Sequence, residues 1–334
     1  MTQFIFLIIK AAIIFFFCVG LAAMLIWGER KFAGWMQSRV GPNYAGPAGV
    51  LQTFGDLAKL IRKEDVIPDT VDRLVFRMAP YILWVPAAVT MALIPFGPMD
   101  ARIFSWNTDL VVARFDAGIV LFLAMGSLAV YGIVFAGWSS NSKWSLMGAL
   151  RSGAQMISYE LSMGLSLVGV MILAGSMNFV TIVDYQAGAF WHWNFIPQIV
   201  GFMIFFIASI AELNRTPFDL PEAEQELVAG FMTEYTGMRW GIFMFSEYVN
   251  MIVMSAIMAT LFFGGWQAPF ESWNVVPGFV WLIIKMMFFI FMYMWIRWTV
   301  PRYRYNQLMD IGWKVMFPLA LANLAITALI VTVK

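Results

Sequence analysis

FIFLIIKAAIIFFFCVGLAAMLIW, residues 4–27, contains a single charged residue, Lys10, and is long enough to cross a lipid bilayer as a helix. No basic segment precedes the run, and the charged residues Glu29, Arg30 and Lys31 follow it closely. It is therefore expected to remain as a membrane helix rather than to act as a cleaved signal peptide. Hydrophobic residues make up 61% of the 334 and charged residues only 12%, whereas soluble domains have roughly a quarter charged residues. The sequence predicts an all-α integral membrane protein.

Further apolar runs of the same kind follow along the whole chain, and together they predict about eight transmembrane helices. The predicted spans are Phe4–Trp27, Met78–Phe96, Ala117–Gly137, Ser158–Ala174, Ile196–Leu213, Trp240–Phe263, Val276–Trp298 and Trp313–Val333. The connections on one face of the membrane then cover about residues 28–77, 138–157, 214–239 and 299–312. No linker or repeat interrupts the pattern, so residues 1–334 are predicted to form a single polytopic membrane domain.

Lysine and arginine residues are distributed unequally between the two sets of connections. Only Arg102 and Arg114 fall in the connections of the other set, whereas those around residues 28–77 alone hold eight basic side chains. Because basic connections are retained in the cytoplasm, the basic set is predicted to be cytoplasmic. Both termini are then on the non-cytoplasmic side of a multi-pass protein.

The first basic connection contains an amphipathic stretch, Ala48–Lys63, in which apolar residues recur at helical spacing. It is too short and too charged to span a bilayer. We expect an amphipathic helix that lies in the membrane interface. A helix packed against a soluble partner is the alternative that the pattern leaves open.

Acidic residues are concentrated where the fifth and sixth spans are joined. Seven of the twenty acids lie there: Glu212, Asp219, Glu222, Glu224, Glu226, Glu234 and Glu247. Another acid, Glu160, and a lysine, Lys285, fall inside predicted spans, where a charge costs at least about 2.5–3.5 kcal/mol. We expect Lys285 to pair with an acid. Buried carboxyl groups bridged by water can pass protons, so these acids predict a proton path; a solvated acidic loop is the alternative.

Several kinds of site are excluded by the composition. The chain has one cysteine and one histidine, too few for thiolate iron–sulfur clusters or zinc sites. It has neither the GxGxxG motif of dinucleotide-binding folds nor the GxxxxGK[ST] motif of nucleoside triphosphatases. Its formal net charge of +1 gives no basic surface for nucleic acid. We therefore expect no metal and no redox cofactor in this chain, and any electron transfer must occur in another subunit.

Four long motifs carry a family resemblance. They are ERKFAGWMQSRVGPNYAGPAGVLQTFGDLAKLIRKE (Glu29–Glu64), SLMGALRSGAQMISYE (Ser145–Glu160), AELNRTPFDLPEAEQELVAGF (Ala211–Phe231) and PRYRYNQLM (Pro301–Met309). The chain resembles a family of membrane subunits of NADH-quinone oxidoreductase, or respiratory complex I, known as the H subunit in bacteria and subunit 1 in mitochondria. The motifs occur in order and span most of the chain, from Glu29 to Met309.

The resemblance implies that the chain is a subunit of a translocase, the NADH-quinone oxidoreductase of a respiratory chain. It would form the access chamber for ubiquinone or menaquinone, where the hydrophilic arm joins the membrane arm in the bacterial inner membrane. Residues that match the quinone chamber are Arg30, Arg39, Arg215, Asp219, Glu222, Glu224 and Phe231. Residues that match the proton path are Glu160, Glu212, Glu226, Glu234 and Glu247. None of these residues is catalytic in the strict sense.

The resemblance also implies partners for the chain. These are the soluble quinone-site and iron–sulfur subunits of the hydrophilic arm, the small membrane subunits and the antiporter-like subunits. FMN and iron–sulfur clusters are expected in those partners, with quinone as the substrate of the complex. Two alternatives are a membrane subunit of a related hydrogenase or formate-hydrogen lyase, which needs no quinone, and a self-contained ion transporter. The intact GPN and PFDLPEAE motifs favour the quinone form, and the sequence has no inverted repeat of the kind that many transporters carry.

Overall fold

The apolar runs form helices because a bilayer offers no hydrogen-bond partners to the backbone, and a helix pairs its own N–H and C=O groups. The computed structural model describes residues 2–98, 102–103, 106–107, 111–112, 115–219, 228–273 and 276–333. Within that part of the chain, seven helices are long and apolar enough to cross a membrane. A shorter apolar helix of 14 residues, Ile199–Glu212, takes the place of the fifth predicted span. The predicted all-α membrane architecture is confirmed.

The elements follow one another in the predicted order. The helices are α1 (Thr2–Met36), α2 (Gln52–Arg62), α3 (Arg73–Met91), α4 (Gly118–Ser139), α5 (Lys143–Ala174), α6 (Phe179–Tyr185), α7 (Ile199–Glu212), α8 (Gly237–Phe262), α9 (Gly278–Thr299), α10 (Tyr305–Asp310) and α11 (Phe317–Val333). A π-helical segment, Ile311–Met316, joins α10 to α11. Two strands of two residues each, β1 (Arg102–Ile103) and β2 (Trp106–Asn107), pair in antiparallel orientation.

The predicted connections do not coincide with the stretches between helices, as the first and third connections along the chain show. Helix α1 continues past Trp27 to Met36, so the predicted connection at 28–77 begins within a helix. The connection predicted at 138–157 is mostly helical, because α5 already begins at Lys143 and only residues 140–142 link it to α4. The helices can turn this tightly because Gly137 has no side chain: a Cβ there would lie 2.2 Å from Ala149 Cβ. Hydropathy locates the apolar part of a helix, but it does not show how far the helix extends beyond the bilayer.

Successive connections lie at opposite ends of the bundle, as the predicted topology requires. At one end the backbone N–H of Asp72 donates to Ser139 O over 3.2 Å, and at the other end Ile119 N donates to Met177 O over 3.2 Å. We call the first end the basic face; its described residues are 37–72, 140–142, 213–219, 228–236 and 300–304. The amphipathic helix α2 belongs to this face, within the stretch for which a helix was predicted.

Helix α8 is the centre of the bundle. Every residue from Met251 to Phe262 is buried, and the main apolar core packs around this stretch with side chains from α1, α3, α4, α5, α7 and α9. The outer surface is apolar as well, with Phe16 69% and Ile326 57% exposed. Such a surface is stable only when lipid or other membrane helices cover it.

Among the described side chains, Lys285 on α9 does not have the acidic partner that the sequence predicted. Its ammonium group donates hydrogen bonds to three backbone oxygens beyond the end of α8, those of Phe263 (2.6 Å), Gly265 (2.9 Å) and Gln267 (2.7 Å). The same group lies 4.2 Å from the centre of the Trp193 ring. Buried carbonyl groups need a donor, and Lys285 caps those of the turn that follows α8, at the end of the bundle opposite the basic face.

Replacing Lys285 by methionine tests this role. The Lys285→Met protein should unfold at a temperature several degrees lower, because each buried acceptor left without a donor costs about 1–3 kcal/mol. The measurement is thermal unfolding of the purified protein in detergent. Lys314→Met is the matched control, since Lys314 is exposed and its ion pair is with the neighbouring Asp310. Equal unfolding temperatures for the two variants would contradict the capping role.

Candidate functional site

A buried carboxylate, Glu29, joins three separate parts of the chain at the basic face. Glu29 is 4% exposed. Its Oε2 accepts a hydrogen bond from Arg215 Nη1 over 3.0 Å, and its Oε1 accepts one from Arg297 Nη1. Arg215 follows α7, Arg297 lies near the end of α9, and Glu29 itself is on α1. A buried carboxylate requires such partners, because an uncompensated charge in this position costs several kcal/mol.

A cavity of about 570 Å³ opens beside this cluster. That volume is within the range of small-molecule sites. Charged, amide and aromatic side chains all contribute to its wall. The lining residues are Glu29, Arg30, Ala33, Arg39, Val40, Gly41, Pro42, Asn43, Tyr44, Gln52, Tyr248, Arg297 and Trp298. Such a wall suits a ligand that has a polar head and an apolar body.

Helix α2 is attached to the rim of the cavity through Arg30. The Arg30 guanidinium forms an ion pair with Asp56 of α2, which also accepts a hydrogen bond from Gln52 over 3.0 Å. Partial burial alone would raise the pKa of Asp56, but the hydrogen bonds from Arg30 and Gln52 outweigh it and lower that pKa. The carboxylate therefore stays charged and keeps α2 in place against α1.

Arg215 is the most enclosed cation of the site. It is 3% exposed, and its guanidinium carbon lies 4.7 Å from the centre of the Tyr248 ring. Burial alone would lower the pKa of Arg215, but the carboxylates of Glu29 and Glu247 outweigh it and hold that pKa above its ordinary value. Arg215 therefore stays positively charged, and its charge is balanced by the neighbouring carboxylates.

The remaining residues predicted for the chamber occupy different places. Arg39 lines the cavity and is exposed. Asp219 is partly buried and forms an ion pair with Arg302 at 2.9 Å. Phe231 lies in an apolar cluster against Phe243, and the described cavity wall does not include it. The other chamber residues, Glu222 and Glu224, lie outside the described residues, as does Glu226 of the predicted proton path.

A second polar site lies deeper, where α4, α5 and α7 meet. Glu160 of α5 accepts a hydrogen bond from Ser127 Oγ of α4. Glu212, the last residue of α7, approaches the same place: a Cβ built at Gly126 would lie 2.9 Å from Glu212 Oε1 and 3.9 Å from Glu160 Oε1. Two acids predicted separately from the sequence are therefore brought together by the fold.

The two other described acids of the predicted path are nearer the basic face. Glu247 is on α8 directly before Tyr248 and is close enough to act on the charge of Arg215. Glu234 is partly buried in the turn that leads into α8. The arrangement places the permanent charge of Arg215 beside the carboxylates of Glu29 and Glu247. Among the described residues, no cluster of three or more histidine, cysteine, aspartate or glutamate side chains could hold a metal ion.

Two residues of the cluster, Glu29 and Arg297, are not predicted from the sequence. Glu29 follows the first predicted span, where a charged residue is ordinary, but α1 extends to Met36 and encloses it. Its partners are 186 and 268 residues away, so no local pattern reveals the pairing. The available signal is a run of charges, Glu29 to Lys31, that follows an apolar helix closely without a helix-ending proline.

Comparison with known proteins agrees with this architecture. The model of the NADH dehydrogenase family matches residues 9–328. The NADH-quinone oxidoreductase H subunit numbered 2 of Geobacter sulfurreducens is 50% identical over 95% of this chain and 94% of its own. The NADH-quinone oxidoreductase H subunit of Brevibacillus brevis is 46% identical over 97% and 93%. NADH-quinone oxidoreductase subunit 8 of Rhodothermus marinus is 47% identical over 97% and 95%. Because these matches extend over nearly the full length of this chain and of each relative, the protein belongs to the NADH dehydrogenase family.

Proposed function

We propose that this chain forms the quinone-access chamber of a proton-pumping NADH-quinone oxidoreductase and couples quinone reduction to proton translocation through buried glutamates. The observation that carries the proposal is the continuity between the two polar sites. Glu212 ends α7 beside Glu160, and the turn that follows α7 brings Arg215 to Glu29 at the cavity. A change of charge in the cavity therefore acts directly on the segment that carries a buried acid.

The cavity suits a quinone in its size and in its wall. A quinone has carbonyl oxygens that accept hydrogen bonds, and Arg30, Arg39 and Arg297 can donate them. Tyr44 and Trp298 supply aromatic surface to the same wall. The quinone is a substrate that enters from the bilayer, and the electrons reach it from iron–sulfur subunits outside this chain.

Helix α2 is suited to frame the entrance from the membrane. Several of its large apolar side chains face away from the bundle, with Phe54 58% and Ile61 64% exposed. Asp56 on the opposite side is tied to Arg30 at the cavity rim. A helix with one apolar side and one charged side lies in the membrane interface, with its apolar side in the acyl region. A quinone in the bilayer would then pass α2 to reach the cavity.

Other assignments are less well supported. The relatives are named subunits of NADH-quinone oxidoreductase over nearly their full lengths, which favours the quinone enzyme over a hydrogenase or formate-hydrogen lyase and over a self-contained transporter. The basic face would carry the soluble quinone-site and iron–sulfur subunits. The apolar flanks would meet lipid, small membrane subunits and antiporter-like subunits in the bacterial cytoplasmic membrane.

One prediction of this function concerns Arg215. The Arg215→Ala complex should reduce quinone at least about tenfold more slowly, because removing one partner of a buried ion pair costs about 3–5 kcal/mol. Electron transfer from NADH to an artificial acceptor should be retained, since that reaction uses the hydrophilic arm. Arg73→Ala is the control, because Arg73 is exposed and pairs with an exposed aspartate. Normal quinone kinetics in an assembled Arg215→Ala complex would refute the role.

Another prediction concerns the buried acids Glu212 and Glu247. Glutamine keeps the volume and the hydrogen bonding of glutamate but cannot titrate. Glu212→Gln and Glu247→Gln complexes should therefore assemble, while quinone reduction and proton pumping fall together by about tenfold or more. Glu→Asp should be milder. Asp310→Asn, at an exposed ion pair, is the control. Full turnover with an undiminished proton gradient in both Gln variants would argue against a proton path.

Orientation in the membrane gives a further prediction. The excess of lysine and arginine at the basic face supports a cytoplasmic position for that face and a non-cytoplasmic position for both termini. Glu64 lies at the basic face and is exposed, so Glu64→Cys in a Cys18→Ala background gives a single accessible thiol. An impermeant maleimide should label it in inverted membrane vesicles and not in intact cells. Labelling from outside intact cells would reverse the assigned orientation.

A further inference from the structure

The position where Glu160 and Glu212 meet is shaped by two consecutive residues of α4, Gly126 and Ser127. Gly126 faces Glu212 Oε1, and Ser127 Oγ donates to Glu160 Oε1. Both carboxyl oxygens lie within 4 Å of the point that a Cβ at position 126 would occupy. One helix therefore contacts both acids, although each acid is on a different helix, α5 or α7.

The absence of a side chain at Gly126 leaves space for the Glu212 carboxyl group, and it is not needed for the backbone conformation of α4. Its φ is not positive, so an alanine would fit the helix and would even be the better helix former by about 1 kcal/mol. A Cβ would, however, lie only 2.9 Å from Glu212 Oε1, closer than real Cβ atoms approach another atom. An alanine at this position would displace the Glu212 carboxyl group.

Other glycines of α4 have a different role. A Cβ at Gly132 would meet the backbone of Leu83 at 2.7 Å, and one at Gly137 would meet the side chain of Ala149. Those two positions let helices approach one another. The nearest atom to Gly126 is instead a carboxyl oxygen, so its missing side chain makes room for a titratable group.

Ser127 can bind Glu160 in either protonation state. A hydroxyl group is both a donor and an acceptor. With its hydrogen on Glu160 Oε1 it stabilises the carboxylate. Ser127 Oγ also lies 3.2 Å from the backbone oxygen of Leu123. When the hydroxyl hydrogen turns to that oxygen, a lone pair becomes available to accept a hydrogen bond from protonated Glu160.

We propose that Gly126 and Ser127 are positioning residues for the Glu160–Glu212 pair: Gly126 leaves the space into which the Glu212 carboxyl fits, and Ser127 holds Glu160 whether or not it carries a proton. This inference rests on the proposed proton path, of which it specifies the geometry. Neither residue gains or loses a proton itself. Each keeps the two acids close enough for a proton to move from one carboxyl group to the other.

The test uses four variants of the intact complex. Gly126→Ala fills the space, Ser127→Ala removes the hydroxyl, and Ser127→Thr keeps it. Gly164→Ala is the matched glycine control, because a Cβ there would meet only Leu123 Cδ1 at an ordinary 3.8 Å. We expect Gly126→Ala and Ser127→Ala each to lower quinone-dependent proton pumping about tenfold, equivalent to about 1.4 kcal/mol. Ser127→Thr and Gly164→Ala should pump normally.

A second readout separates positioning from general damage to the fold. The C=O stretching band of a protonated carboxyl group in infrared difference spectra responds to its hydrogen bonds, and Glu160→Gln identifies which band belongs to Glu160. Ser127→Ala should move that band to higher frequency, because the hydrogen bond is lost, and Ser127→Thr should restore it. Gly126→Ala should move the band that Glu212→Gln identifies as belonging to Glu212.

The outcomes separate this inference from the proposed function. Unmoved bands and normal pumping in both Gly126→Ala and Ser127→Ala would overturn the positioning role, even if Glu160→Gln abolishes pumping. A Glu160→Gln complex that pumps at the full rate would instead overturn the role of Glu160 in the proton path. The infrared shifts would still decide whether α4 positions the two acids.

Discussion

The carboxylate of Glu29 lies between the guanidinium groups of Arg215 and Arg297, almost entirely shielded from solvent. Each of these charges would be costly to bury alone, and together with their hydrogen bonds they compensate one another. The three side chains come from α1, from the turn after α7 and from α9, so the cluster exists only when these parts are assembled. Glu29 and Arg297 also line the cavity. The cavity therefore has a wall whose shape is determined by electrostatics and not only by apolar packing.

The segment between the cavity and the deeper acids is held by an amide side chain. Gln155 of α5 donates to the backbone oxygens of Ala211 over 2.7 Å and Phe218 over 3.0 Å. These two residues flank the turn that carries Glu212 and Arg215. Helix α5 also carries the acid of the deeper site, so the same helix positions one acid directly and the other through Gln155. Arg215 and Glu212 therefore lie in one short segment that Gln155 holds against the helix of Glu160, and the proposed coupling between the two sites would act through this segment.

Features that depend on local patterns could be predicted from the sequence. Apolar runs located the helices, and the stripe within Ala48–Lys63 predicted the amphipathic helix that the structure places at Gln52–Arg62. Glu160 was recognised because a charge within an apolar run is conspicuous. Its neighbour could not be predicted, because the approach of Glu212 depends on the missing side chain of Gly126 in a third helix. A long-range pairing leaves no trace in a hydropathy profile.

The buried cations Lys285 and Arg215 lie toward opposite ends of the bundle and have different kinds of partners. Opposite the basic face, Lys285 donates to three backbone oxygens. The acid predicted beside Lys285 is not found among the described side chains, because carbonyl groups of the turn after α8 are its partners instead. A peptide oxygen does not titrate, so these contacts do not depend on the protonation of an acceptor. At the basic face, Arg215 depends on carboxylates, which a proton can neutralise. The contacts of Arg215, which depend on the charge of a carboxylate, therefore lie beside the cavity, in the half of the bundle where the proposed function needs a response to charge.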